Sequence, residues 1–250
     1  MIIFPSAKIN IGLHILSKRD DSFHNIYTFF YPVSDLKDVL EIVESKSKQT
    51  KIHISGNSLD VKDEENICLK AYYLLAGKYS LPPVDIYLHK NIPTGAGLGG
   101  GSSDAASTLV LLNKIFDLNI PTNELKSIAA SLGSDCAFFI EGKPAFASSR
   151  GEILEPVDFV LNRKIVVKTP NIHISTPKAY SLVKPNPNAP DLKKLIFDDI
   201  KTWKENINND FEDVIFPLHP EIARIKEAFY ADGAVYAAMS GSGSAVFGIF

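Results

Sequence analysis

Alternating apolar and polar residues predict that the chain begins with strands. Between residues 8 and 15 every second side chain is apolar (Ile9, Ile11, Leu13, Ile15), which is the period of a half-buried strand. A polar turn over 18–25 follows. Further strands are predicted over 26–33, 39–43, 51–54, 84–88, 164–168, 235–239 and 245–250, and short ones within 142–156.

Apolar residues at helical spacing predict helices over 67–79, 102–116, 121–132 and 220–232, and shorter helical stretches between 175 and 206. An acidic turn, Asp60–Asn66, precedes the first of them. Strands come early and helices join later without strict alternation. This order favours an α+β fold over a doubly wound parallel sheet.

A glycine-rich stretch, Lys90–Ala106, joins the strand over 84–88 to the helix over 102–116. It reads K-N-I-P-T-G-A-G-L-G-G-G-S-S-D-A-A. Ser102, Ser103 and Asp104 lie where the helix would be capped. Glycine lets a backbone approach a ligand, and a helix start offers unpaired N–H groups to an anion. Such turns are common and weak alone, but we favour a phosphate site, of neither the P-loop nor the Rossmann type.

Composition narrows the function classes. The chain has 250 residues, 45% hydrophobic and 22% charged, with a formal net charge of −3. Without a basic block, broad binding to nucleic acid or to a membrane surface is disfavoured. Cys68 and Cys136 lack metal spacing and are expected to be small core residues. There is no signal-peptide pattern and no long apolar segment, so we expect a reduced, cytoplasmic location.

Three separated stretches resemble the GHMP kinase superfamily. They are S-A-K-I-N-I-G-L at 6–13, the glycine stretch over 93–106, and A-A-M-S-G-S-G-S-A-V-F-G at 237–248. Their order and spacing fit across nearly the whole chain. The resemblance implies a two-lobed α+β fold, with an ATP-binding lobe over 1–157, a substrate lobe over 158–250 and a deep cleft between them.

Other segments resemble one branch of that superfamily, which phosphorylates a cytidine diphosphate-linked methylerythritol. They are R-D-D-S-F-H at 19–24, L-G-S-D-C-A-F-F-I at 132–140 and N-D-F-E at 209–212. Ser22-Phe23 replaces the branch's Gly-Tyr, and Ala137 replaces a proline. The chain ends at Phe250, where the family usually continues through a further helix and strand, so we expect either a short member or a missing end.

The resemblance implies transfer of the γ-phosphoryl group of ATP to the 2-hydroxyl of that substrate, with Mg²⁺, in the non-mevalonate isoprenoid precursor pathway. It assigns Asp135 as the base or orienting group and Lys8 as the cation that keeps Asp135 ionised. On local pattern alone, Asp135 fits a helix N-cap and Lys8 a solvated strand residue.

The remaining site residues also follow from the resemblance. The ATP contacts are Asn66, Lys90, Pro93, Gly95, Ala96, Gly97, Leu98, Gly99, Gly100, Gly101, Ser102 and Ser103. The metal ligands are unknown, with Ser102 or Ser103 as candidates. The substrate contacts are Asn10, Phe23, His24, Phe30, Thr176, Tyr180, Gly241 and Gly243. Within that set His24 reads the cytosine edge while Phe23 and Tyr180 sandwich the ring, although most aromatics are core residues and a turn histidine is usually solvated.

Two alternatives stay open. The first is that the chain is another GHMP small-molecule kinase, acting on homoserine or mevalonate. The second is that it is a GHMP-fold regulator that binds ATP without turnover. The partners expected are the small-molecule substrate alone, with no nucleic acid and no membrane, in a monomer or homodimer. A nucleic-acid-binding domain of similar topology is disfavoured by the acidic balance.

Overall fold

The computed structural model describes residues 1–57 and 65–250. Most of the predicted acidic turn, residues 60–64, lies outside these ranges. The chain divides into two compact units. Unit 1 comprises Met1–Ala7, Val33–Thr94 and Gly99–Gly142, and unit 2 comprises Lys8–Pro32, Gly95–Leu98 and Lys143–Phe250. Because both units are discontinuous, they do not test the expected domain boundary after residue 157, which stays a prediction.

The strands of the described residues, in chain order, are β1 (Ile2–Ile3), β2 (Ser6–Lys18), β3 (His24–Lys37), β4 (Val39–Glu44), β5 (Lys51–Gly56), β6 (Val84–Lys90), β7 (Ala145–Ser149), β8 (Ile153–Pro156), β9 (Ile165–Lys168), β10 (Tyr236–Met239) and β11 (Val246–Ile249). The helices are α1 (Ile67–Tyr79), α2 (Gly100–Ile115), α3 (Thr122–Leu132), α4 (Cys136–Glu141), α5 (Thr176–Leu182), α6 (Leu192–Ile196), α7 (Trp203–Asn206), α8 (Glu212–Ile215) and α9 (Pro220–Ala231), with a 3₁₀ turn at Ile200–Thr202.

Unit 1 is built on a four-stranded sheet in the order β1-β4-β6-β5. Strand β4 is antiparallel to β1 and β6, whereas β5 runs parallel to β6. The alternation in β6 buries Val84, Ile86 and Leu88 and exposes Tyr87. Helices α1 and α2 pack in the same apolar core as these strands. The two helices therefore cover one face of the sheet, and the packing of α2 anchors the end of the glycine stretch to this core.

Unit 2 contains the antiparallel sheet β10-β11-β9. The order of a second sheet is β2-β3-β7-β8. Strand β2 departs from the expected half-buried pattern, because every residue over 7–15 is buried. Its polar side chains, Lys8, Asn10 and His14, must therefore find partners inside the protein. Among the described residues no helix is long and apolar enough to cross a membrane.

Candidate active site

The first part of the glycine stretch, Gly95–Leu98, belongs to unit 2, where backbone hydrogen bonds hold it on two sides. The backbone N–H of Lys8 donates to the carbonyl of Leu98 over 2.9 Å, and that of Ala245 donates to the carbonyl of Ala96 over 3.0 Å. Ala96 and Leu98 are buried. This part of the stretch is therefore fixed by the fold of the unit.

The same segment meets the C-terminal Gly/Ser turn, Ser240–Ser244, at very short range. The Ser240 hydroxyl donates to the carbonyl of Gly97 over 2.9 Å. Gly97 has φ +81°, and a Cβ there would lie 2.0 Å from the carbonyl oxygen of Ser240. A Cβ on Gly241 would lie 3.2 Å from the Cα of Gly97. Both positions need glycine because the two backbones touch.

The second part of the stretch begins helix α2 in unit 1. Gly99 is the N-cap residue in the left-handed region (φ 70°), and no side chain caps the helix. The expectation that Ser102, Ser103 and Asp104 cap it is wrong, because the helix starts at Gly100 and places all three inside its first turns. An uncapped helix start presents its first backbone N–H groups and the positive end of its dipole, which suits an anion such as phosphate.

The turn that carries Asp135 lies beside this helix start, within unit 1. A Cβ on Gly133 would lie 3.2 Å from the sulfur of Cys136 and 3.9 Å from the hydroxyl of Ser102. Burial raises the pKa of the Cys136 thiol to about 11, while a hydrogen bond with Ser102 opposes that rise. The hydroxyl of Ser102 in the first turn of α2 and Cys136, the residue after Asp135, are therefore in direct contact.

Asp135 occupies the N-cap position of α4, but its side chain makes no capping hydrogen bond. Its backbone is helical there, with φ −81° and ψ −13°, instead of the extended conformation typical of a capping residue. Capping therefore does not account for an aspartate at this position. Its half-buried side chain is therefore a candidate for a chemical role beside the start of α2.

Lys8 is not the solvated strand residue that its type alone would predict, since it is 3% exposed. Its ammonium donates to the Asn10 carboxamide oxygen over 2.6 Å and lies 4.8 Å from the centre of the buried Phe30 ring. The Asn10 amide donates to the hydroxyl of Thr28 over 2.9 Å, and Thr28 donates to the carbonyl of Gly12 over 2.6 Å. This chain of bonds fixes the position of the ammonium.

Two of the three predicted cytosine contacts, His24 and Tyr180, form an aromatic cluster with Phe211 in unit 2. The His24 ring stacks on Tyr180 at 5.0 Å between centroids, and Tyr180 meets Phe211 edge-on at 4.9 Å. Phe23 is 51% exposed, with the Arg150 guanidinium over its ring at 4.9 Å. Burial lowers the pKa of His24, and the charge of Lys18 adds to this. The cytosine sandwich stays a prediction, because here His24 itself stacks on Tyr180.

Around the C-terminal turn, the hydroxyls of Thr176 and Ser242 are hydrogen-bonded at 3.0 Å. Gly243 has φ +92°, and a Cβ there would lie 2.7 Å from the sulfur of Met239. The buried Asn209 amide donates to the carbonyls of Met239 (2.7 Å) and Gly241 (2.8 Å). Asn209 thus holds the beginning of this turn.

Two predicted nucleotide contacts have structural partners in unit 1. The Asn66 side-chain oxygen accepts from the backbone N–H of Cys68 over 2.9 Å and so caps helix α1. Lys90 is 2% exposed and forms ion pairs with Asp38 and Asp104. Their contacts with a nucleotide stay predictions. Of the other predicted ATP contacts, the partly buried Pro93, exposed Gly95 and exposed Gly101 continue the same stretch.

Sequence reasoning missed several residues that shape this site: Thr28, Asp38, Arg150, Asn209 and Ser240. The first three gave no local signal, because each acts on a residue far away in the chain. The last two lie within the N-D-F-E and M-S-G-S-G segments. Those segments marked the region but not the side chain that holds it.

Family models match both halves of the chain. The model for the GHMP kinases N terminal domain matches residues 66–143, and the one for the GHMP kinases C terminal region matches residues 189–250. A relative from Bacteroides fragilis, named 4-diphosphocytidyl-2-C-methyl-D-erythritol kinase, is 50% identical over 253 residues, with 100% of this chain and 92% of the relative covered. The chain belongs to the GHMP kinase family.

Solved structures agree with this assignment. A crystal structure of 4-(cytidine 5'-diphospho)-2C-methyl-D-erythritol kinase is similar with a TM-score of 0.84 and 33% identity, with 100% of this chain and 90% of that chain covered. A homoserine kinase from Cytophaga hutchinsonii has a TM-score of 0.73 but 17% identity, with 98% and 85% covered, and shares the fold. The prediction of a mixed α+β GHMP kinase fold is confirmed.

Proposed function

We propose that the chain is a small-molecule kinase that transfers the γ-phosphoryl group of ATP to the 2-hydroxyl of 4-diphosphocytidyl-2-C-methyl-D-erythritol, a step of the non-mevalonate isoprenoid precursor pathway. One observation carries the choice of substrate. A kinase named for it is 50% identical across the whole chain. The homoserine and mevalonate kinases with solved structures are 14–19% identical to this chain and support the fold alone.

Phosphoryl transfer depends mainly on positioning and on stabilising charge. The uncapped start of α2 and the backbone of Gly97–Gly101 would bind the β- and γ-phosphates, since the glycines leave the backbone open to close approach. Mg²⁺ bound at the phosphates would neutralise part of their charge, and Ser102 or Ser103 would supply a hydroxyl ligand. Both serines lie in the first turns of α2, which fits that role.

On the acceptor side, Asp135 would take or orient the proton of the substrate hydroxyl. Its carboxylate does not cap α4, and the turn that carries it contacts Ser102 in the first turn of α2. Lys8 would stabilise the charge of the transferring group. The bonds to Asn10 and the approach to Phe30 hold its ammonium in place. A fixed cation costs little reorganisation when charge develops.

His24, Phe23 and Tyr180 would bind the cytosine, and base stacking on an aromatic ring contributes roughly 1–3 kcal/mol. For this, the His24 ring would leave its stack on Tyr180 or admit the base beside it. Asn10, Phe30 and Thr176, with Gly241 and Gly243, would shape the site for the sugar alcohol and diphosphate. We also propose the domain boundary after residue 157, a cytoplasmic location, a monomer or homodimer, and no nucleic-acid partner.

The deciding experiment offers purified protein Mg-ATP with the cytidine-linked methylerythritol, homoserine or mevalonate, and detects the products by ³¹P NMR and mass spectrometry. We expect a phosphorylated product from the cytidine compound alone. Turnover of homoserine or mevalonate without turnover of the cytidine compound would contradict the proposal. ATP binding without turnover of any of the three would instead favour the regulator.

A further inference from the structure

A buried cluster of three charged side chains lies beneath the start of α2 in unit 1. Lys90 ends strand β6, Asp104 belongs to α2, and Asp38 lies between β3 and β4; none is more than 2% exposed. The Lys90 ammonium donates to an oxygen of Asp104 over 2.6 Å and to one of Asp38. The other oxygen of Asp38 accepts from the backbone N–H groups of Asn91 (2.6 Å) and Ile92 (2.8 Å).

The cluster joins the two ends of the glycine stretch. Lys90 to Ile92 lead into it, and Gly100 begins the helix that leaves it. A Cβ on Gly100 would lie 2.8 Å from a methyl carbon of Ile92 and 3.3 Å from the Lys90 nitrogen. The first residue of α2 therefore rests on the ammonium. Asp104, four residues on, binds that ammonium from the same helix.

This arrangement is an expensive way to stabilise a fold. Two carboxylates share one ammonium away from water, and one oxygen of Asp104 is buried with no hydrogen-bond partner within residues 1–57 and 65–250. Apolar side chains of similar volume often stabilise a core as well as a buried ion pair does or better. Charge-assisted bonds, however, fix distances and directions more narrowly than apolar contacts. The cluster therefore suits a site where geometry matters.

We propose that Asp38, Lys90 and Asp104 are positioning residues that clamp both ends of the glycine stretch and so align the start of α2 with the ATP phosphates. This rests on the proposed kinase function. It gives Asp104, the aspartate after the tandem serines, a role that the motif left unexplained. It also places the action of Lys90 beneath the loop, through Gly100 and Asp104, instead of in contact with the nucleotide.

The main test is Asp104→Asn, which preserves the shape of the side chain and replaces the carboxyl group that binds the Lys90 ammonium with an amide. The measurements are the affinity for ATP by calorimetry, the KM for ATP, the KM for the cytidine substrate, and kcat. We expect the ATP affinity to fall and its KM to rise tenfold or more, while the KM for the cytidine substrate stays within threefold. If Lys90 instead touched the nucleotide, releasing it from Asp104 would leave ATP affinity unchanged or improve it, and the proposal would be overturned.

Two further variants separate positioning from general stability. Leu75→Ala removes a buried side chain of α1 that is outside the cluster. If the urea midpoint of Leu75→Ala falls as far as that of Asp104→Asn, we still expect Leu75→Ala to keep a wild-type KM for ATP. A rise in this KM equal to that of Asp104→Asn would overturn the proposal. Lys90→Arg keeps the positive charge but enlarges the group beneath Gly100, so it should also weaken the binding of ATP. A wild-type KM for ATP in this variant would contradict the clamp.

Failure of the kinase proposal would be seen separately. Calorimetry measures ATP binding without the acceptor. A wild-type protein that binds ATP but does not phosphorylate the cytidine compound would refute the proposed substrate. The clamp would still be judged from the ATP affinities of the variants.

Discussion

Replacing Gly97 by alanine tests whether contact between the two glycine turns of unit 2 is a fixed part of the fold. Gly97 has φ +81°, and an added Cβ would lie 2.0 Å from the carbonyl oxygen of Ser240. That oxygen belongs to the backbone, so no side-chain rotation relieves the overlap. The Ser240 hydroxyl also donates to the carbonyl of Gly97 over 2.9 Å, and any separation of the turns would stretch this bond.

Three terms set the size of the effect on the free energy of unfolding. Alanine in the left-handed region costs about 1–2 kcal/mol. Inserting a methyl group into a packed backbone contact costs roughly 1–3 kcal/mol through forced shifts. The loss of chain entropy in the unfolded state returns about 0.4–1 kcal/mol. We therefore expect Gly97→Ala to lower the free energy of unfolding by roughly 1–4 kcal/mol.

Gly101→Ala is the matched control. A Cβ at Gly101, in the first turn of α2, would lie 4.0 Å from a methyl carbon of Ile67, which is ordinary van der Waals contact. In a helix, alanine is more favourable than glycine by roughly 0.5–1 kcal/mol. Urea unfolding followed by circular dichroism compares the two variants with the wild type. Equal stability of Gly97→Ala and Gly101→Ala would refute the reasoning. Since misplacement by about 1 Å can cost on the order of a hundredfold in rate, Gly97→Ala should also lose most of its kinase activity.

Three further changes have defined outcomes. Asp135→Asn should lower kcat by roughly 10²–10⁴ while ATP affinity by calorimetry stays unchanged, and undiminished turnover would remove Asp135 from its role. Burial raises the pKa of Asp104 from 3.8 to about 8. Between these pH values folding takes up a proton, so the free energy of unfolding should fall as pH rises, by at most about 1.4 kcal/mol per pH unit. The urea midpoint of Asp104→Asn should therefore depend less steeply on pH than that of the wild type. Asn209→Ala leaves the carbonyls of Met239 and Gly241 without their donor and should cost about 1–3 kcal/mol in urea unfolding, with Asn209→Asp, which also removes the donor, no better.

Local pattern predicted elements well where local forces decide them. Helix α1 has the predicted bounds, 67–79, because Asn66 caps its start and Ser80 ends it in the left-handed region. Helix α2 begins two residues before the predicted start. Glycine disfavours helix interiors, yet Gly99 turns the chain directly into a helix that Gly100 begins. The close approach of Lys90 and Ile92 leaves little room for a side chain at Gly100, and this requirement outweighs the low helix propensity of glycine.

Strand β2 shows the limit of alternation as a guide to burial. Its period predicted one solvated face, but all residues over 7–15 are buried. The polar side chains of this face have partners inside the protein: Lys8 bonds to Asn10, Asn10 to Thr28, and the Nδ1 of His14 to Asp210 at 3.2 Å. The Nε2 of His14 is buried without a hydrogen-bond partner among the described residues. Thr28 and Asp210 lie 18 and 196 residues from their partners. A pattern read along the chain does not contain such pairings, so the motif located Lys8 without showing what holds it.

The glycines of the C-terminal turn illustrate how a motif and a structure give different reasons for one residue. By resemblance, Gly241 and Gly243 allow the substrate to approach. In the structure, a Cβ on Gly241 would press on the Cα of Gly97 at 3.2 Å, and one on Gly243 would overlap the sulfur of Met239 at 2.7 Å. Close contacts within unit 2, together with the positive φ of both residues (+56° and +92°), therefore disfavour a side chain at both positions.

It follows that loss of activity after substituting either glycine would not by itself demonstrate a substrate contact. A substrate role needs a change in the KM for the cytidine compound beyond what a matched loss of stability produces. The catalytic role of Asp135 stays a prediction that needs the same kind of test. Its side chain makes no capping bond to α4, so the obvious structural reason for an aspartate at that turn does not apply.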